Sequence, residues 1–173
     1  YYVHLSIFSF IHAMNTERHN ELKTLLNLPR IDQIGFVVED IEKAMDEYGP
    51  LFGPWQLMDQ EVKDCDLRGE TKSCNLRMAF GHTGDLEIEL IEVVDGESPH
   101  TEFLAYGRTG MHHLRYRIEN IDEKVALAKK IGYEPIWQKR FSDSMAFCYL
   151  EKPGDPLIIE FLEMAEDYPI QDG

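Results

Sequence analysis

Residues 31–41, Ile31-Asp32-Gln33-Ile34-Gly35-Phe36-Val37-Val38-Glu39-Asp40-Ile41, can be laid over residues 111–121, Met111-His112-His113-Leu114-Arg115-Tyr116-Arg117-Ile118-Glu119-Asn120-Ile121. In both, a β-rich run ends at an acidic residue followed by Asp or Asn, a good helix N-cap, and Ile opens a helix. Apolar residues then recur at helical spacing, Ile41, Ala44, Met45, Tyr48 and Phe52 in one copy and Ile121, Val125, Ala128 and Ile131 in the other. Each helix ends near glycine. Gly53-Pro54-Trp55 and Gly132-Tyr133-Glu134-Pro135-Ile136-Trp137 open a second strand in their copies. A hairpin completes each: Leu76 to Phe80, a turn at Gly81 to Asp85, and Leu86 to Val94, against Met145 to Leu150, a turn at Lys152 to Pro156, and Leu157 to Leu162. The unit is β-α-β-β-β, used twice. It predicts an α+β fold in which two modules pair into a curved mixed sheet around a cavity.

The boundaries follow from the repeat. Residues 31–95 are the first module, 96–110 a linker, 111–164 the second module and 165–173 a C-terminal tail. Residues 1–30 are an N-terminal extension in which 15–27, capped at Asn15-Thr16 and carrying Leu22, Leu25 and Leu26, read as a short helix. Residues 1–13 are too short to span a bilayer and lack the basic start of a signal peptide. They read as upstream or non-native sequence, or, from the alternation of Tyr1, Val3, Leu5 and Ile7, as an interface strand.

A chain of 173 residues can build a core without a metal or disulfide staple, so any metal here would be functional. The 17 basic and 32 acidic residues give a net charge of −15 with no Lys/Arg run, which argues against nucleic acid and anionic membranes as partners. Cys65, Cys74 and Cys148 match no zinc knuckle and read as reduced thiols in a cytoplasmic protein, with a Cys65–Cys74 pairing left open.

Successive strand residues point to opposite faces, and the helix-covered face takes the apolar set. Ile34, Phe36 and Val38 go to the helix and leave Gln33 on the other face, while His113, Arg115 and Arg117 lie opposite Leu114, Tyr116 and Ile118. Ile88 and Leu90 leave Glu87 and Glu89; Ile159 and Phe161 leave Glu160. Gln33 and His113 are equivalent positions, as are Glu89 and Glu160. A glutamate by itself is ordinarily an exposed strand residue. The set of Gln33, Glu89, His113 and Glu160, facing one cavity with oxygen donors and an imidazole, is the ligand set of a divalent metal: zinc, nickel or cobalt, with manganese or iron(II) also compatible. On the same alternation His112 faces the helix side or solvent. Arg115 and Arg117 suit either a clamp for a carboxylate or phosphate or a salt bridge to an acid such as Glu87. His82 reads as exposed, His4, His12 and His19 as surface or packing residues, His100 as a linker residue near the substrate path, and Trp55 and Trp137 as core aromatics. Substrate choice is assigned to loops at 50–53, 64–73 and 99–107.

Four runs carry a resemblance in order across this repeat: Ile31-Asp32-Gln33-Ile34-Gly35, Glu87-Ile88-Glu89-Leu90-Ile91-Glu92, Gly110-Met111-His112-His113 and Ile159-Glu160-Phe161-Leu162-Glu163. Over roughly residues 31–164 the chain resembles the vicinal oxygen chelate superfamily of glyoxalase, bleomycin-resistance and dioxygenase proteins. The resemblance implies paired modules around a metal, a glyoxalase-like fold, and a homodimer to which residues 1–13 could contribute. The family's first ligand is most often His where this chain has Gln33. Gln, Glu, His and Glu in that order is similar to animal glyoxalase I, whereas Glu97-Ser98-Pro99 and the linker before His112-His113 are similar to methylmalonyl-CoA epimerase. Both activities imply abstraction of a proton α to a carbonyl while a Lewis acid stabilises the enolate or enediolate oxygen. On that reading Glu160 is ligand and base and Glu89 shares proton transfer. The substrate is then an acyl-CoA thioester or a glutathione hemithioacetal. Two alternatives stand beside it: a metal-free sequestering protein of the bleomycin-resistance type, and a metal-dependent ring-cleavage dioxygenase, against which Gln33 counts.

Overall fold

The two strand-to-helix turns of the repeat fold alike. Strand β1 (Gln33–Val38) leads into helix α2 (Ile41–Phe52), where the Asp40 side chain accepts from the Lys43 amide at 2.9 Å. Strand β5 (Gly110–Ile118) leads into α4 (Ile121–Lys129), where Asn120 accepts from the Glu123 amide at 3.1 Å. The computed structural model describes residues 16–164, so the expectations for residues 1–13, His4 and His12 among them, and for the tail 165–173 lie outside the described residues. Helix α1 (residues 16–26) precedes β1, and the remaining elements are β2 (Gln56–Leu67), β3 (Glu70–Thr83), β4 (Leu86–Gly96), α3 (Pro99–Ala105), β6 (Glu134–Ser142), β7 (Met145–Lys152) and β8 (Asp155–Met164).

The expected curved sheet closes completely. Its order is β1-β4-β3-β2-β6-β7-β8-β5, a barrel in which each module lays its first strand parallel to its last. The modules join along two antiparallel seams. One is β1 against β5; the other is β2 against β6, reduced to Asp66↔Gln138 and Leu67↔Trp137. Alternation sorts the side chains as the sequence predicts. Phe36, Val38, Ala79 and Leu90 pack outward against Ile41, Ala44 and Met45 of α2. Tyr116, Ile118, Ile159 and Phe161 pack against Ile121, Val125 and Ala128 of α4, joined by Leu26 and Leu28 from the α1 end. The barrel interior is filled by Val62, Leu76, Ile91, Trp137, Phe147 and Tyr149. All three cysteines are free and buried.

A Glu-x-x-Glu spacing ties each sheet to its helix. Glu89 and Glu160 face inward; three residues on, the opposite face, Glu92 Oε2 accepts from the Ile41 amide at 2.7 Å and Glu163 Oε2 from the Ile121 amide at 3.0 Å. These carboxylates satisfy first-turn donors that the helices cannot satisfy themselves. Replacing Glu163 by Ala is expected to lower stability by about 1 kcal/mol, read as a fall in the thermal unfolding midpoint.

The segments expected as loops are more ordered than that. Residues 50–53 include the last turn of α2, which runs through Pro50; 64–73 are the ends of β2 and β3 around a turn at Arg68-Gly69; and the linker folds as α3, with Pro99, His100 and Phe103 buried. Pro99 at the helix start and Ser98 as its cap are the local signals for α3. No helix among the described residues is long and apolar enough to cross a membrane.

Candidate active site

Strands β1, β4, β5 and β8 bring Gln33, Glu89, His113 and Glu160 to one point inside the barrel. The imidazole of His113 is fully buried, and its Nε2 lies 3.2 Å from Glu160 Oε2, 3.4 Å from Glu89 Oε2 and 3.4 Å from Gln33 Oε1. The Tyr149 hydroxyl is also 3.4 Å away. Gly35, directly across the seam, makes room for the ring: a Cβ there would lie 1.9 Å from His113 Cε1. Burial by itself would depress the His113 pKa, but Glu160 and Glu89 outweigh it and raise it to about 9. Burial in turn pushes the Glu89 carboxyl above its usual range, opposed by His113.

One Nε2 hydrogen cannot satisfy three acceptor oxygens at comparable distances. An imidazole, an amide oxygen and two carboxylates around a buried point could instead each give one lone pair to a single divalent cation, and their donor types suit zinc and its first-row neighbours. Gln33 is fixed for such a role. Its Nε2 donates to Glu87 Oε1 at 2.7 Å, which leaves Oε1 directed at His113.

Arg115 does not line this cavity. Its guanidinium is buried and donates to Asp32 Oδ1 and Oδ2 and to Glu87 Oε1, each at 3.1 Å. Burial opposes its charge, yet Glu160, Asp32 and Glu87 keep its pKa raised. Arg117 is half exposed, with Nε 3.5 Å from Asp32 Oδ2. Of the two uses the sequence leaves open for Arg115, the structure displays the salt bridge.

Two neighbours of the quartet escape sequence reasoning. Alternation puts His112 on the helix side or in solvent, and the structure corrects this. The β1–β5 register slips between Gly35 and Phe36, so that Gly35 faces His113 and Phe36 faces Met111, and His112 is the extra residue of a bulge, where strict alternation fails. It is buried, with Nδ1 3.2 Å from His113 Nδ1 and its ring 4.7 Å from that of His100. Burial and His113 push its pKa down to about 3. His100, His112 and His113 offer ligand nitrogens within 4.8 Å of one another. Tyr149 was legible in principle, since it pairs with Glu160 across β7 and β8 and shares an inward face with Phe147. By contrast, His82 is exposed, as expected, and Trp137 is a core aromatic that also walls the cavity.

The cavity has a volume of about 340 Å³. Glu89, Glu160 and His100 line its polar part, and Val62, Leu76, Met78, Ile91, Trp137 and Phe147 are among its apolar walls. No Lys or Arg lines it among the described residues.

Two like modules closed into one barrel, with two pairs of equivalent strands delivering nitrogen and oxygen groups to its interior, define a paired-module architecture. The chain belongs to the Glyoxalase/Bleomycin resistance protein/Dioxygenase superfamily, whose model matches residues 32–149. Among solved structures it is similar to a hypothetical protein from Bacillus halodurans C-125 (23% identity, covering 81% of this chain and 97% of that one, TM-score 0.58). It is also similar to methylmalonyl-CoA epimerase from Mycobacterium tuberculosis (20% identity, 80% and 89% covered, TM-score 0.57). A third is a single-residue variant of Streptomyces coelicolor methylmalonyl-CoA epimerase in complex with 2-nitronate-propionyl-CoA (20% identity, 80% and 96% covered, TM-score 0.56). No curated protein sequence matches the chain.

Proposed function

We propose that this protein is a divalent-metal-dependent isomerase or lyase that moves a proton α to a carbonyl, epimerase-like or lactoylglutathione-lyase-like. The observation that carries this reading is the convergence of Gln33, Glu89 and Glu160 on His113 Nε2. When bound there, a divalent ion would supply positive charge to the oxygen on which negative charge develops. The residues do the rest. Glu160 takes the α-proton, and Glu89, at the symmetry-equivalent place in the same cavity, shares its return, so that a proton can come back on the same or the opposite face. The apolar walls accept the carbon and sulfur atoms next to the reacting carbonyl of a thioester or hemithioacetal, and the charged arm of a CoA or glutathione conjugate extends outside. We extend the reading to a homodimer, the assembly the family resemblance implies.

Plasma mass spectrometry of dialysed protein tests it. About one ion per chain is expected in the parent, falling severalfold in His113→Ala and Glu160→Gln. A parent that stays empty after reloading with zinc, nickel and cobalt would overturn the catalytic reading and leave the cavity as a binding site for an apolar ligand. Deuterium exchange into methylmalonyl-CoA against turnover of a glutathione hemithioacetal then separates the two substrate classes.

A further inference from the structure

His100 has no role in the mechanism above. It stands on α3, between the modules, is 1% exposed, and lines the same cavity as Glu89 and Glu160. Its ring is held edge-on by Trp137 at 5.4 Å and Tyr149 at 5.6 Å. Its Nδ1 lies 3.5 Å from Ser98 Oγ, and its Nε2 has no hydrogen-bond partner. A buried polar atom left unpaired is costly, and such atoms are commonly completed by water or by a ligand.

The other polar groups of the cavity are engaged or of the opposite kind. Gln60 donates to the Glu61 carbonyl, the Tyr149 hydroxyl lies against His113, and an ionised Glu89 or Glu160 accepts but cannot donate. Ser98 Oγ accepts from the Thr101 amide and has one proton to give, to Thr101 Oγ1 at 3.2 Å or to His100 Nδ1 at 3.5 Å; the second arrangement puts the ring hydrogen on Nε2 and is the one taken below.

Resting on the proposed reading of this site, we propose that His100 is a ligand-contacting residue whose Nε2–H donates a hydrogen bond to an oxygen of the reacting carbonyl group. A neutral donor aimed at an oxygen gains strength as negative charge accumulates there.

Cobalt(II)-loaded protein titrated with acetohydroxamate, a planar probe with two adjacent oxygens, tests this through the visible absorption of the ion. His100→Phe keeps a ring in the aromatic cluster but has no donor; His100→Gln keeps an N–H. Hydroxamate affinity is expected to fall about tenfold in His100→Phe and to stay within about threefold of the parent in His100→Gln, with cobalt stoichiometry unchanged in both. Should His100→Phe not fold, His100→Leu supplies the same comparison. Unchanged affinity in the donor-less variant, or equal weakening in the donor-less and Gln variants, overturns the contact while leaving the metal reading intact. A parent that takes up no cobalt overturns both.

Discussion

Glu160→Gln is expected to slow exchange of the substrate α-proton with solvent deuterium by roughly 10²–10⁴-fold even when the metal is restored to saturation. The substitution preserves shape, and Gln33 shows that an amide oxygen is at home beside His113 Nε2. What disappears is the negative charge, whose effect on metal binding is made good by saturation, and the ability to accept a proton, which is not. Glu160 is 8% exposed, lies 3.2 Å from His113 and opens onto the cavity, where it can reach a substrate α-carbon. Deuterium incorporation followed by mass spectrometry, with bound metal measured on the same samples, checks the claim. A rate recovered in full by excess metal would reduce Glu160 to a ligand and place the base elsewhere. Glu89→Gln separates the proton paths: a comparable loss points to two carboxylates acting in turn, a small loss to Glu160 acting alone.

The fold was legible because its determinants are local and occur twice. Asp40 and Asn120 cap their helices as their side chains dictate, and alternation in β1, β4, β5 and β8 sorts apolar from polar faces without knowledge of the rest of the chain. The convergence of Gln33, Glu89, His113 and Glu160 followed from superposing two copies of one unit. Information failed where neighbours in space are not neighbours in the repeat. The bulge that turns His112 inward arises at the β1–β5 seam, from the fit of one module against the other, and nothing in Met111-His112-His113 announces it. His100 lies in the linker, which belongs to neither copy, so no comparison of modules could assign it a face. Closure through two residue pairs at β2 and β6 is likewise a property of how the modules meet.

Arg115 marks the same boundary, and its replacement by Ala is expected to cost about 3 kcal/mol of stability, the scale for breaking a buried ion pair from one side. Alternation places Arg115 on the ligand face beside His113, and a clamp for an anionic substrate is the natural thought. Three of its five N–H donors are instead spent on Asp32 and Glu87, acids brought to it by the start of β1 and by β4. Removing the guanidinium leaves two carboxylates facing each other with little water to screen them, each only about a fifth exposed (22% and 23%). The disturbance then travels to the site. Glu87 receives both Arg115 and the Gln33 amide, so a displaced Glu87 no longer fixes which end of Gln33 faces His113. Cobalt affinity should therefore fall in Arg115→Ala, by roughly 10–100-fold, the usual loss when a group supporting a ligand is removed. Arg115→Lys should restore little of it, because a single ammonium cannot reproduce a fork that serves both carboxylates. Thermal unfolding and cobalt titration, run on the same variants, check both parts. A substrate clamp predicts another outcome, with cobalt affinity and unfolding midpoint at the parent values and only the Michaelis constant raised.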